Sequence, residues 1–234
     1  MRHYCIINTE DKRIADMLGK YGYICIPTEK SADVSEPISL HADVLYLKIA
    51  PKQLFISQCQ KNNIELLDKY GYSITKIKLA PGYKTECRLN VAVSEDCVVY
   101  NSDTSVSTDC FAENKQLIYV KQGYTKCSTI VLANNCFITE DEGIYRALCS
   151  SGRKCLLITK GYVKLDGYDY GFIGGASAYL SAVKKLLFFG DISKHPDFEK
   201  IKAFCKECNC DIKWIENMQL TDIGGAVEVL NNER

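Results

Sequence analysis

The chain has no net charge to speak of. Its 234 residues carry 29 basic and 29 acidic side chains, so no global positive field draws it to nucleic acid or to an anionic membrane. It has no long apolar run, which excludes a membrane-spanning helix. The apolar stretch near the start, Met1 to Asn8, is short and lacks a small-residue cleavage site, so no signal peptide is expected. Histidine is scarce, with three in the chain, which limits both metal sites and general bases. A single tryptophan, Trp214, lies in a strand-like run and reads as core. Cysteine is abundant: thirteen residues, an odd number, several of them inside apolar runs (Cys25, Cys97, Cys136, Cys155). There a free thiol behaves as a small hydrophobe, so the expectation is free cysteines in a reducing cytoplasm rather than a disulfide framework.

What the sequence does have is repetition. Gly-Tyr followed by Lys occurs at Gly82-Tyr83-Lys84, at Gly123-Tyr124 with Lys126, and at Gly161-Tyr162 with Lys164. Lys-Tyr-Gly-Tyr occurs at Lys20–Tyr23 and Lys69–Tyr72, and Ile-Gly-Gly-Ala at Ile173–Ala176 and Ile223–Ala226. Repeats at this period mark an array of similar supersecondary units. The third unit is the easiest to read. A strand over Ser128–Leu132 precedes the turn residues Ala133–Asn135, and Cys136–Ile138 returns as a hairpin. Thr139 to Glu142 reads as a capping box, Ile144, Ala147 and Leu148 share a helical face, Gly152 ends the helix, and Cys155–Thr159 closes the unit.

The same order, strand-strand-helix-strand, fits Asp43–Leu79, Leu89–Val120 with a weak helix after Asn101, and Ala176–Ile215. The first of these places its helix near Ser57 to Tyr70, and the last carries Phe198, Ile201, Phe204 and Cys205 as its inward stripe. A fifth unit is split. Gly225–Leu230 supplies its first strand, Tyr4–Ile7 its second, Thr9 caps a helix with Ile14, Met17 and Leu18, and Tyr23–Ile26 ends it. Pairing the two ends closes the ring and removes the free sheet edge. A doubly wound sheet would need about one strand per helix, and this chain offers about three.

A five-module closed α/β-propeller, its fifth module shared by the N- and C-termini, resembles the pentein fold. That is the fold of arginine and agmatine deiminases, dimethylarginine hydrolases and amidinotransferases, and of a non-enzymatic ribosome-associated factor. The resemblance spans the whole chain, read as one domain over 1–234. Locally it rests on Phe172–Leu180 and Asp222–Leu230, whose Gly-Gly pairs look like those that open a module's first strand in the enzymes. Those enzymes carry a nucleophilic Cys after the last Gly-Gly, and here Ala226 to Arg234 contains none. They carry a general-base His at a middle module's head, where this chain has Lys126-Cys127-Ser128 and Ile173-Gly174-Gly175. The chain therefore resembles a bacterial branch of the fold without the usual catalytic Cys and His, and no catalytic residue carries over.

In a ring of such units the residues before each first strand line the central channel. These are His41 and Asp43, then Lys84, Glu86, Cys87 and Arg88, then Lys126 and Cys127, then Lys164 and Asp166, then Asp222. Both signs of charge suit a zwitterion: a cation grips a carboxylate and a carboxylate grips an ammonium or guanidinium. The plainer alternative is a set of loop charges that close the ring. Cys127 or Cys87 with His41 and Asp43 would form a nucleophile-base-acid set; the plainer alternative is two free thiols. Cys205, Cys208 and Cys210 have partial zinc spacing but lack a fourth ligand, and His195 beside Pro196 reads as a helix-start residue. No metal and no cofactor are expected. The expected function is non-catalytic binding of an amino-acid-like or guanidino ligand in the channel. A Cys-dependent hydrolase or amidinotransferase is the first alternative, and an interaction module without a small ligand is the second.

Overall fold

The computed structural model describes residues 3–111 and 114–231. It contains five three-stranded sheets. The chain enters at β1 (His3–Ile7), passes through α1 (Lys12–Gly19) and returns in β2 (Tyr23–Pro27). A short turn of helix, α2 (Ala42–Leu45), opens the next unit: β3 (Tyr46–Ala50), β4 (Gln53–Ser57), α3 (Ile64–Lys69) and β5 (Ser73–Ile77). Another turn, α4 (Tyr83–Glu86), precedes β6 (Ala92–Val93), β7 (Cys97–Tyr100) and β8 (Gln116–Tyr119). Then come β9 (Thr129–Val131), β10 (Cys136–Thr139), α5 (Glu142–Ser150) and β11 (Lys154–Leu157). The last complete unit is β12 (Ser177–Leu180), β13 (Lys185–Phe188), α6 (Phe198–Glu207) and β14 (Asp211–Trp214), and β15 (Ala226–Asn231) ends the fold.

Every sheet has the same wiring. The first strand pairs antiparallel with the second, and the second pairs parallel with the third. The fifth sheet obeys the same rule with a break in the chain: β15 pairs antiparallel with β1, and β1 pairs parallel with β2. The two ends of the chain are thus strands of one sheet, as the split unit requires. All thirteen cysteines are free, and no described helix is long and apolar enough to cross a membrane.

Burial follows position within the sheet. First strands are buried on both faces, as in β9 and β12, whereas third strands such as β5 and β8 are mostly exposed. Helices cover the sheets through single apolar stripes: Ile14, Met17 and Leu18 on α1, Ile144 and Leu148 on α5, Ile201, Phe204 and Cys205 on α6. Local details differ from expectation. Asp11, not Thr9, caps α1 by accepting the Arg13 N–H. Asp141, not Thr139, caps α5 by accepting the Ile144 N–H at 2.8 Å, because the helix starts at Glu142 and the Thr139 oxygen instead accepts the Asp141 N–H at 3.2 Å. In the second unit the described residues form only a 3-10 turn, Thr108–Cys110, where a helix was expected.

The heads of the first strands are tied to one another in cyclic order. Gly175 N–H donates to the Cys127 carbonyl at 3.1 Å, Gly225 N–H to the Gly175 carbonyl at 2.8 Å, and Asp43 N–H to the Gly224 carbonyl at 3.0 Å. The Asn90 amide then donates to the Asp43 carbonyl at 3.0 Å and accepts the Cys127 N–H at 3.0 Å. Each of the five units contributes one link.

Candidate functional site

This hydrogen-bonded circle leaves room for few side chains, and those it admits are polar. Asp43 sits at the start of α2, where the Gly224 carbonyl fixes its backbone. Its Oδ2 accepts from Cys127 Sγ at 3.0 Å, while its Oδ1 is buried with no partner. Asn90 holds the thiol from the other side, donating to Sγ at 2.8 Å. Asp222 accepts the Phe172 N–H at 2.9 Å and the Gly224 N–H at 3.0 Å. His41 Nδ1 lies 3.6 Å from Asp222 Oδ1 and is itself buried without a hydrogen-bond partner. Unsatisfied buried acceptors and donors cost about 1–3 kcal/mol each, so two at one point mark a place where stability has been given up.

The Gly-Gly pairs explain how these groups fit. A Cβ on Gly175 would lie 2.5 Å from Asp222 Cγ, and one on Gly224 would lie 2.6 Å from His41 Cγ. Gly224 also has φ near +84°, a backbone conformation that a side chain disfavours. The glycines let backbone pass where a side chain would expel the carboxylate or the imidazole.

Burial sets the electrostatics. It pushes the Cys127 thiol well above its ordinary pKa, and the neighbouring charges of Asp43 and Asp222 push the same way. It raises Asp222 to about 6; His41 opposes that rise and Asp43 adds to it. Lys126, half-buried behind Cys127, has its pKa lowered by burial against the pull of Asp43. The site holds two carboxylates, an imidazole and a protonated thiol, and none of the described lysines or arginines lines it.

Above these groups opens a cleft of about 410 Å³. His41, Cys127 and Asp222 lie in its wall with Tyr83, Tyr124, Tyr170 and Phe172. The rings brace one another: Tyr83 meets Tyr124 edge-on at 5.7 Å, and Tyr170 meets Phe172 edge-on at 6.4 Å. Tyr124 is anchored by donating its hydroxyl to Glu86 at 2.6 Å. An aromatic wall over buried carboxylates suits an organic cation.

The sequence-selected residues divide accordingly. His41, Asp43, Cys127 and Asp222 are brought together. Glu86 lies behind the cleft, its carboxylate committed to Tyr124, Ser35 and the Gly82 amide. Cys87 is buried and donates to the Tyr83 carbonyl, with burial pushing its thiol up to about 11. Arg88 binds the Lys78 carbonyl at 3.0 Å, and Lys84 is exposed; neither lines the cleft. Lys126 contributes its backbone N–H to Asn90 at 2.8 Å. Lys164 pairs with Asp166 at the surface. Among the described residues no cluster of three or more His, Cys, Asp or Glu is placed to hold a metal ion. Sequence reasoning missed Asn90, which makes four hydrogen bonds at the heart of the circle; its signal was an amide next to a module head. It also passed over the Tyr168–Phe172 loop, whose aromatic spacing was the available clue.

Comparison with solved structures returns the same fold at very low identity. Agmatine deiminase of C. jejuni aligns over 100% of this chain and 94% of its own, with 9% identity and a TM-score of 0.61. An amidinotransferase of Microseira wollei, from the saxitoxin biosynthetic pathway, aligns over 95% of this chain and 80% of its own, with 8% identity and a TM-score of 0.59. A DDAH variant from Pseudomonas aeruginosa, complexed with citrulline, aligns over 97% and 99% with 9% identity and a TM-score of 0.55. These neighbours are all of the pentein fold, and at such identity they establish the architecture alone. No curated protein matches the sequence. Residues 6–227 match the model of a family described as a family of unknown function, DUF6873, and the chain belongs to that family.

Proposed function

We propose that the protein binds a small organic cation, a guanidinium or ammonium compound, in the aromatic cleft over Asp43 and Asp222. The observation that carries this reading is the buried Asp222 carboxylate in the wall of the aromatic cleft, with the unpartnered Asp43 Oδ1 buried near it within the circle. A buried carboxylate with a free lone pair is stabilised by a donor that brings positive charge. The cyclic hydrogen bonds among the five heads support a closed five-module propeller, with this cleft at the mouth of its central channel. The citrulline complex of the DDAH neighbour is consistent with an amino-acid-like ligand. The ligand is held rather than transformed: the last module's head offers Val229 where a thiol would be expected, and Cys127 is protonated.

Thermal shift with arginine, agmatine and ornithine against an uncharged control, butylurea, tests this reading. Cationic compounds should raise the melting temperature, and Asp43→Asn should remove the effect. No shift with any cation would refute it.

One observation favours a second reading, a Cys-dependent enzyme. Cys127 Sγ lies 3.0 Å from Asp43 Oδ2 in the wall of the same cleft. The thiol could pass its proton to Asp43 as it adds to a guanidinium carbon. Release of ornithine, citrulline or ammonia that disappears in Cys127→Ala would establish that reading in place of the first.

A further inference from the structure

A second carboxyl group outside the circle is as poorly served as Asp43. Glu140 follows β10 and is 7% exposed, yet its Oε1 has no hydrogen-bond partner. It lies in the wall of a second cavity of about 550 Å³. That cavity shares Gln122, Tyr170 and Phe172 with the aromatic cleft, so the two adjoin along one aromatic ridge.

The other acids lining the second cavity have assigned work. Asp197 accepts the Thr159 N–H and O–H, each at 2.7 Å, and pairs with Lys200 at 2.6 Å. Asp141 caps α5. Glu142 reaches outward to Arg146 at 3.1 Å. Glu140 alone among them keeps a buried oxygen without a partner; of the two lysines in the same wall, Lys200 is paired with Asp197, and Lys160 favours the ionised form of Glu140 without overcoming its burial. Backbone geometry places it close to the first site: the Phe172 amide donates to Asp222, and the next amide, Ile173, favours the charged form of Glu140. Two consecutive backbone amides therefore serve the two carboxyl groups.

We propose that Glu140 is a second cation subsite, and that the ligand carries two positive groups, one over Asp43 and Asp222 and one at Glu140. The chemical class is a short aliphatic dication whose chain crosses the Tyr170–Phe172 ridge. This rests on the reading of the aromatic cleft as a cation site, and it adds a specificity that the cleft alone lacks: a monocation fills only one of two carboxylate positions. In the free protein burial keeps Glu140 protonated, with a pKa raised to about 8. Loading the subsite at neutral pH therefore expels a proton, because the arriving cation favours the carboxylate.

Calorimetric titration with putrescine and with butylamine, in two buffers of different ionisation enthalpy, tests the proposal. The diamine should bind about tenfold or more tighter than the monoamine and release a proton at pH 7. Glu140→Gln should abolish both the advantage and the proton release while leaving butylamine binding unchanged. If butylamine binds and the diamine gains nothing in the wild-type protein, the subsite is refuted and the cation cleft stands. If the diamine's advantage survives in Glu140→Gln, the second subsite lies elsewhere and the assignment is overturned. If neither amine binds, both readings fall.

Discussion

Glu140→Gln should stabilise the protein at alkaline pH and change it little at acidic pH. In the unfolded chain a glutamate ionises near 4.5, whereas in the fold Glu140 ionises near 8, chiefly because it is buried. Between those values the folded protein keeps a proton that the unfolded chain has lost. Stability therefore falls as pH rises through this window, by up to about 1.4 kcal/mol per pH unit. The full window corresponds to about 4–5 kcal/mol, and relaxation around a charged carboxylate reduces this to about 2–4 kcal/mol. Gln keeps the shape of the protonated acid and cannot ionise, so it escapes the loss. Urea unfolding at pH 5 and at pH 8.5 measures the effect. The variant should match wild type at pH 5 and exceed it at pH 8.5. A difference that is the same at both values would refute the burial argument. The prediction has a functional corollary: the variant gains stability at the position where it loses diamine selectivity, the trade expected when a buried charge is kept for binding.

Gly224→Ala should destabilise the fold by about 2–4 kcal/mol, through the positive φ and the approach to His41, measured as a fall in the urea midpoint. Removing residues 225–231 should abolish cooperative thermal unfolding, because β1 would lose its antiparallel partner and the first-strand circle its Gly225 link; an unchanged melt would contradict the shared fifth sheet. Toward a thiol reagent at pH 7, exposed Cys149 should react first and Cys127 slowly, since burial and two carboxylates disfavour the Cys127 thiolate; mass mapping of the earliest adduct decides. Asn90→Ala should cost about 2–4 kcal/mol, because it strands buried backbone and thiol groups, and a fall in the urea midpoint measures it.

Much of the architecture was legible because each unit repeats its local chemistry. The turn at Ala133–Asn135, the stripe on α6 and the glycine after α5 each carry their own signal, and the split fifth unit follows once four units have been counted. Helix starts were less legible. Ser, Thr and Asp compete for the cap, and local geometry decides: the Thr139 oxygen accepts the Asp141 N–H before the helix begins, which leaves Asp141 to accept from Ile144. The site was partly legible. His41, Asp43, Cys127 and Asp222 stand at unit heads, so register alone brings them together. Lys84 and Arg88 also stand near a head, but Lys84 is exposed and Arg88 is held by the Lys78 carbonyl, and no pattern in the sequence encodes either placement. Glu140 was hidden inside what reads as a capping box, where a glutamate has an ordinary explanation. The aromatic wall comes from loops, and loop convergence depends on how units pack rather than on any local period.

The central claim is that a cationic group sits over Asp43 and Asp222. The most direct measurement is a crystal structure of the protein grown or soaked with agmatine or putrescine. The account predicts density in the aromatic cleft, with the cation in hydrogen-bond reach of the Asp43 carboxylate and a second positive group toward Glu140. An empty cleft at saturating ligand, or a ligand whose carboxylate or neutral end faces Asp43 and Asp222, would contradict it.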